Sequence, residues 1–391
     1  MKKYFSPITG AVLLSLTFGA SAQSNGGTKI NLAEGLTLFP SVGFSFGRDG
    51  NLFLSNANQK STNVYTLSPT LKLEMRTRPA TLVFDLSTVS TFYDKSSSDN
   101  FTNIKFGVGT DLPISDRMGL KLGADYVKGS DPRGSTDRVG ASEPDLYRTS
   151  GANGTFSFGA KEAAGRFEVD AGFTNKRYTN NRASTIGSDR DNSSFGARFF
   201  AKIAPKTSFL VEAKTEKLDY VSSTSSLDST QRGYSVGVTW DATAATSGIV
   251  KVGQIRKTFA SGARKGESSS GWDAAVNWAP LTYSKFTFNT AKQFTESTGL
   301  GDYIVNKRYA ASWNHEWNQR FSSAANISRS EDQFVNGNRN DSTDSIGFRL
   351  SYRAIKWLSI SGGFTNADRE SNTSSFRYKK NTYSLGVDAT L

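Results

Sequence analysis

The chain of 391 residues contains no cysteine and a single histidine, His315. The first absence excludes a disulfide framework, a thiol nucleophile and a thiolate metal site. The second leaves no clustered imidazoles for a metal and one imidazole to serve as a general base. Long apolar runs are missing too: the stretch Ile8 to Phe18 is the nearest approach, and it is shorter than the roughly 20 residues a membrane helix needs. Sustained 3.6-residue periodicity is also lacking, which argues against a helical soluble domain. No Gly-rich phosphate loop occurs in a strand-to-helix setting. Mean hydropathy is −0.45, yet aromatic residues reach 12% and glycines number 36.

What is present begins with Lys2 and Lys3, followed by that short apolar stretch and Ala20-Ser21-Ala22. These three parts in order predict a signal peptide over residues 1–22, cleaved before Gln23. Residues 23–35 then read as a short periplasmic segment and 36–391 as the folded body. The formal charge of +12 becomes +10 when Lys2 and Lys3 leave, since residues 1–22 hold no acid. A basic balance raises the question of nucleic acid, but both signs are scattered along the chain and export removes the protein from the cytoplasm. No nucleic-acid partner is expected.

Period-two alternation runs almost from end to end. Tyr383, Leu385, Val387 and Ala389 alternate with Ser384, Gly386, Asp388 and Thr390. Tyr65, Leu67, Leu71 and Leu73 alternate with Thr66, Ser68, Lys72 and Glu74. Such a period places the two sets on opposite faces of a strand. Short connections fall near Arg78-Pro79, Pro113 to Asp116, Glu162 to Gly165, Ala204 to Lys206, Ala242 to Thr246, Ala279 to Thr282, Asn318 to Arg320 and Ala354 to Lys356. They alternate with long polar segments such as Asp49 to Asn63, Lys128 to Asp145 and Asn180 to Asn192. This is the layout of an outer-membrane barrel, with short turns in the periplasm and long loops outside. The fold class expected is all-β: a transmembrane antiparallel up-and-down β-barrel of about 18 strands, with 16 as the alternative. A β-sandwich, the competing all-β fold, has no reason to hold aromatics at fixed heights. Here Trp240, Trp278, Trp317 and Trp357 each lie near a short turn, as a membrane-interface belt would. Tyr65, Tyr93, Tyr126, Tyr178, Tyr234 and Tyr378 cluster at the loop ends and read as the second belt.

A sheet can cross a bilayer only if it closes, because no water is present to satisfy an open edge. The polar face must then point inward. On that face lie Lys72, Glu74, Arg76, Asp85, Lys105, Asp111, Lys121, Asp125, Glu168, Asp170, Arg198, Lys202, Glu212, Lys214, Asp241, Lys251, Asp273, Lys285, Arg349 and Arg353. They are the candidate pore-lining residues, forming a hydrated wall of mixed charge with a slight basic excess. Pairing across strands, at well under about 1 kcal/mol per pair, explains any single one of them better than a binding site does. An interior this wide calls for a channel or a plug; Lys128 to Asp145, the longest loop, is the best candidate to fold inward.

The run from Asp49 through Asn51, Leu52 and Phe53 to Leu67, Ser68 and Pro69 resembles the β-barrel porin family found with bacterial capsule and exopolysaccharide gene clusters. That resemblance implies an outer-membrane conduit or accessory for exported polysaccharide, with the polysaccharide and export-machinery proteins as partners beside outer-membrane lipid. Two alternatives stay open: a general or solute-specific diffusion porin, and a structural or adhesion barrel acting through its external loops. No enzyme, cofactor or metal site is expected. His315 shares parity with Trp313 and Trp317, which places it on the lipid or interface side near a periplasmic turn, and Glu168 with Asp170 reads as lumen wall.

Overall fold

The computed structural model describes residues 29–390 apart from 139, 161, 242–244 and 263. The signal peptide expected over 1–22 lies outside the described residues. Nineteen strands follow: β1 (Ile30–Ala33), β2 (Leu36–Asp49), β3 (Thr62–Arg76), β4 (Thr81–Tyr93), β5 (Phe101–Ser115), β6 (Met118–Asp131), β7 (Asp145–Phe158), β8 (Gly165–Tyr178), β9 (Arg190–Ala204), β10 (Thr207–Tyr220), β11 (Ser229–Trp240), β12 (Thr246–Phe259), β13 (Glu267–Leu281), β14 (Ser284–Thr295), β15 (Tyr303–Glu316), β16 (Phe321–Val335), β17 (Arg339–Ile355), β18 (Leu358–Ser371) and β19 (Tyr378–Thr390).

From β2 onward each strand pairs antiparallel with the next, and β19 returns to β2, with Thr382 opposite Asp49 and Thr390 opposite Ser41. The barrel is therefore closed and has eighteen strands, β2 to β19. The nineteenth was not expected. β1 falls inside the 23–35 segment and pairs Ile30 with Leu38 and Ala33 with Leu36. Pairing of β2 with β19 begins only at Ser41, so β1 covers the overhanging start of β2, whose edge would otherwise stand unpaired.

Two-residue turns join β5 to β6, β9 to β10, β13 to β14 and β17 to β18, all at one end of the barrel. The opposite end carries the longer loops, 50–61 and 132–144 foremost. Strands of 12 to 17 residues extend about 40–56 Å at roughly 3.3 Å per residue, whereas a crossing strand needs about nine to eleven residues. The barrel is therefore taller than a bilayer. One face of the wall exposes Phe44, Leu71, Phe106, Phe156, Phe199, Val236, Phe288, Ile346 and Leu385, an apolar belt that runs round the ring. Buried apolar packing instead collects at the loop end, where Phe294, Tyr303 and Val305 meet Ile255, Phe259 and Val335.

Candidate functional site

Alternation and register put nineteen of the twenty candidate wall residues on one continuous face, opposite the apolar belt, the face that also carries Arg339, whose partner Asp137 comes from across the barrel. The exception is Asp241, one residue beyond β11, whose amide donates to the Lys206 carbonyl in the turn at 2.9 Å. Several of these residues meet. Arg198 contacts Asp170 at 2.9 Å and Glu168 at 3.5 Å. Lys251 bridges Glu212 at 3.2 Å and Asp273 at 3.1 Å. Glu74 lies between Lys72 at 2.6 Å and Arg76 at 3.2 Å. The register sets Lys72 opposite Asp85 and Lys121 opposite Asp111. Among the described residues, Lys105, Lys121 and Lys285 have no carboxylate within ion-pair distance.

At the loop end the inner face is bridged. Loop 132–144 joins β6 to β7, and loop 296–302 joins β14 to β15. β14 is the eighth strand on from β6 in a ring of eighteen, one short of diametrically opposite, yet the two loops touch. Asp137 accepts from the Thr298 amide at 2.8 Å and its hydroxyl at 2.9 Å. In return Thr298 Oγ1 accepts from the Asp137 amide at 2.9 Å, and the Thr298 carbonyl from Arg138 Nη1 at 2.5 Å. Arg339, from the start of β17, donates to the other oxygen of Asp137 at 3.0 Å and grips Asp341. Arg138 is fixed from behind by Asp145 at 2.8 Å and lies over the Tyr178 ring. Burial works against its charge, but Tyr178 and Asp145 outweigh that and hold the guanidinium above its ordinary range.

The second loop arrives because its hairpin leans inward. Pairing of β13 with β14 stops at Trp272 opposite Lys292, so the upper part of β14 and β15 peels away from β13. Phe294 and Tyr303 have the outward parity of their strands, yet they pack on Ile255 and Phe259 of the inner face. Glu296, just past β14, is held by Lys257 Nζ at 2.5 Å and by the Tyr220 hydroxyl at 2.7 Å, both inner-face groups. Asp302 at the far side of the loop takes Arg264 and the Asn336 amide.

The first loop is tied down over the Asp49–Phe53 run. Lys380 reaches Asp49 at 2.6 Å, and the Asn51 amide donates to the same carboxylate at 2.9 Å. The buried Asn51 side chain then donates to the carbonyls of Ser55 and Lys379. This pins loop 50–61 at the β19–β2 seam. Phe53 carries Arg133 over its ring at 4.0 Å, and Arg133 also pairs with Asp99. Gly134, at φ +76°, passes so close to the Phe53 carbonyl that a Cβ would lie 2.2 Å from that oxygen; only glycine fits. Loop 132–144 thus folds inward as anticipated. Its partner loop and Arg339, Lys257, Glu296 and Asp302 were not foreseen.

One belt needs correcting. Tyr65, Tyr126 and Tyr234 do face outward, but Tyr93, Tyr178 and Tyr378 have inner-face parity and are largely enclosed. Tyr178 donates to Asp131 at 2.8 Å, and Lys176 lies over the Tyr147 and Tyr178 rings. None of the three faces lipid, and Tyr178 belongs to the bridge through Arg138. At the turn end Trp278, Trp317 and Trp357 are exposed, and Trp240 shares the outward parity of Val236 and Val238. His315 also faces outward, packed against Tyr283, Trp313 and Trp317.

A family model described as "Putative beta-barrel porin 2" matches residues 34–391. No curated protein matches the chain. Among solved structures, a BenF-like porin from Pseudomonas fluorescens Pf-5 superposes with a TM-score of 0.50 at 10% identity, covering 92% of this chain and 100% of that one. Acinetobacter baumannii OccAB2 gives 0.50 at 11% identity, over 92% and 98%. At these identities the likeness is one of fold. The family match over nearly the whole chain, the closed eighteen-strand wall and its apolar outer belt lead to one conclusion: the chain belongs to the beta-barrel porin 2 family and is a porin-type barrel of the bacterial outer membrane.

Proposed function

We propose that the protein is a diffusion channel for small polar solutes, with the nineteen inner-face wall residues lining its path and the loop-end bridge restricting what enters. The observation that carries this reading is the bridge itself. Asp137, Thr298 and Arg339 join nearly opposite sides of the mouth through half-buried contacts, an arrangement that suits sieving of small molecules. A polymer would have to break it. The export role implied by the exopolysaccharide-cluster resemblance therefore draws less support than diffusion. Weakly paired charges along the wall, with a slight excess of cations, favour a mild preference for anions. Exposed turn-side groups can exchange partners with passing ions at little cost.

Planar-bilayer recording of the full chain tests this. Discrete current steps with modest anion selectivity are expected, together with larger steps when Asp137→Ala loosens the bridge. Silence from both proteins, folded and inserted, would remove the channel reading. Blockade by long oligosaccharides but not by small anions would restore the export one.

A further inference from the structure

The outer face of the loop end carries a second charge pattern that the channel does not use. Lys128 on β6 lies directly opposite Arg148 on β7, and Arg148 lies opposite Arg177 on β8. Arg232 and Arg256 face each other across β11 and β12 in the same way. Like charges at directly opposed positions destabilise a sheet. Arg177 has one carboxylate, Asp191, at 2.6 Å. Among the described residues the side chains of Lys128, Arg148, Arg232 and Arg256 make no hydrogen bond or ion pair.

The same height of the wall elsewhere shows that such charges can be paired within the protein. On β15 to β17, Lys307 contacts Glu331 at 3.3 Å and Arg329 contacts Glu331 and Asp344 at 3.3 Å. Lys379 contacts Asp368 at 3.0 Å across β19 and β18. The β6–β8 sector instead keeps three cations in a row.

Its level is set by the aromatics. Outward positions on β11 run from Trp240 at the turn side to Tyr234, six residues or about 20 Å at roughly 3.3 Å per residue, and the next outward residue is Arg232. On β6 the outward residue after Tyr126 is Lys128. Both ladders therefore stand immediately beyond the apolar belt, at the height of the outer leaflet's headgroups. Below Arg148 the outward side chains of β7 are the small ones of Ser150 and Ala152, then Gly154, flanked by Tyr126 and Leu122 on β6 and Phe173 on β8. This leaves a shallow trough leading down from the charges into the apolar belt.

We propose that Lys128, Arg148 and Arg177 form a binding site for a phosphorylated lipid of the outer leaflet, its phosphate held by the ladder and an acyl chain lying along β7. Guanidinium groups match phosphate oxygens in a bidentate geometry. Neighbouring strands are only about 4.8 Å apart, so one phosphate can touch cations on two of them. Its negative charge offsets the repulsion that the protein leaves unrelieved. A free anion would satisfy the charges but not the trough. Arg232 and Arg256 repeat the charge pattern once more round the ring. This site does not depend on whether the barrel conducts.

Native mass spectrometry of the full chain in mild detergent, titrated with bisphosphorylated lipid A, with its dephosphorylated form and with inorganic phosphate, provides the test. The bisphosphorylated lipid is expected to bind at least about tenfold tighter than the dephosphorylated one. Lys128→Gln with Arg148→Gln should remove about tenfold of that affinity. Arg148→Glu adds a reading independent of assembly yield: its Tm in lipid-free detergent should rise, because two repulsions become attractions, while the stabilisation by lipid A should shrink. Equal binding of the two lipids, undiminished binding by the double variant, or an Arg148→Glu protein that loses Tm without lipid would each overturn the proposal. Displacement of lipid A by millimolar phosphate would reassign the ladder to free anions and overturn its lipid part.

Discussion

At the loop end of the lumen Lys257, Arg339 and Arg138 keep 0%, 2% and 8% of their side-chain exposure, each against a carboxylate. At the turn end Arg76 keeps 73% beside Glu74, and Glu162 keeps 75% beside Lys202. Both ends line the same wall and use the same residue types, yet the physics differs. A buried charge that loses its partner keeps the whole desolvation cost. An exposed one is re-solvated, so its pair is worth no more than about 1 kcal/mol. The loop-end charges therefore hold the architecture of the mouth. Those at the turn end are left to act on whatever passes.

The sharpest way to break this contrast is Glu296→Ala. It takes the ion-pair partner from Lys257, which has no exposure and keeps the Tyr303 and Phe259 rings at 5.5 and 5.7 Å and the more distant charge of Glu216. Unfolding in detergent with denaturant should show a loss of about 3–5 kcal/mol. Removing both charges, by Glu296→Leu with Lys257→Met, should recover most of it, since apolar replacement of a whole buried pair is often neutral. A single variant as stable as the parent would mean that the pair is solvated and the two ends are alike.

Next comes Asp137→Ala. It deletes the acceptor for the Thr298 amide, the Thr298 hydroxyl and Arg339, but leaves Arg339 on Asp341. The stability cost should be smaller, about 1–3 kcal/mol, and the single-channel conductance should rise, because the tie to Arg339 is lost and the two loops keep only weaker hold on each other through the residue-137 amide on Thr298 Oγ1 and Arg138 on the Thr298 carbonyl. A loss of stability with unchanged conductance would separate the bridge from the path.

The barrel was legible because one local rule, the two-residue period, repeats along every strand, and because turn residues punctuate it on a regular beat. The bridge was not. Asp137 lies 161 residues from Thr298 and 202 from Arg339, and no local pattern connects them. The inward lean of β14 and β15 was hidden for a related reason: Phe294 and Tyr303 have the parity of lipid-facing residues, and only the loss of pairing beyond Lys292 turns them inward. The tyrosine belt, by contrast, was readable and misread. Tyr178 shares parity with Lys176, Asp170 and Glu168, all polar, whereas Tyr234 shares it with Val236 and Val238. Height along the strand does not separate the two groups of tyrosines; the parity of their strand neighbours does.

The smallest expected effect is at the turn end, and it decides whether the contrast is one of kind. Glu74→Gln leaves Lys72 and Arg76 on the same face with no carboxylate between them. If water screens both, stability should change by less than about 1 kcal/mol, far below the Glu296 variant. The lost negative charge should instead appear in transport, as a reversal potential shifted toward anions in a salt gradient with little change in conductance. A Glu74 variant that unfolds as readily as the Asp137 one would show that the turn-side charges also hold the wall together, and selectivity would then have to be sought among the unpaired Lys105, Lys121 and Lys285.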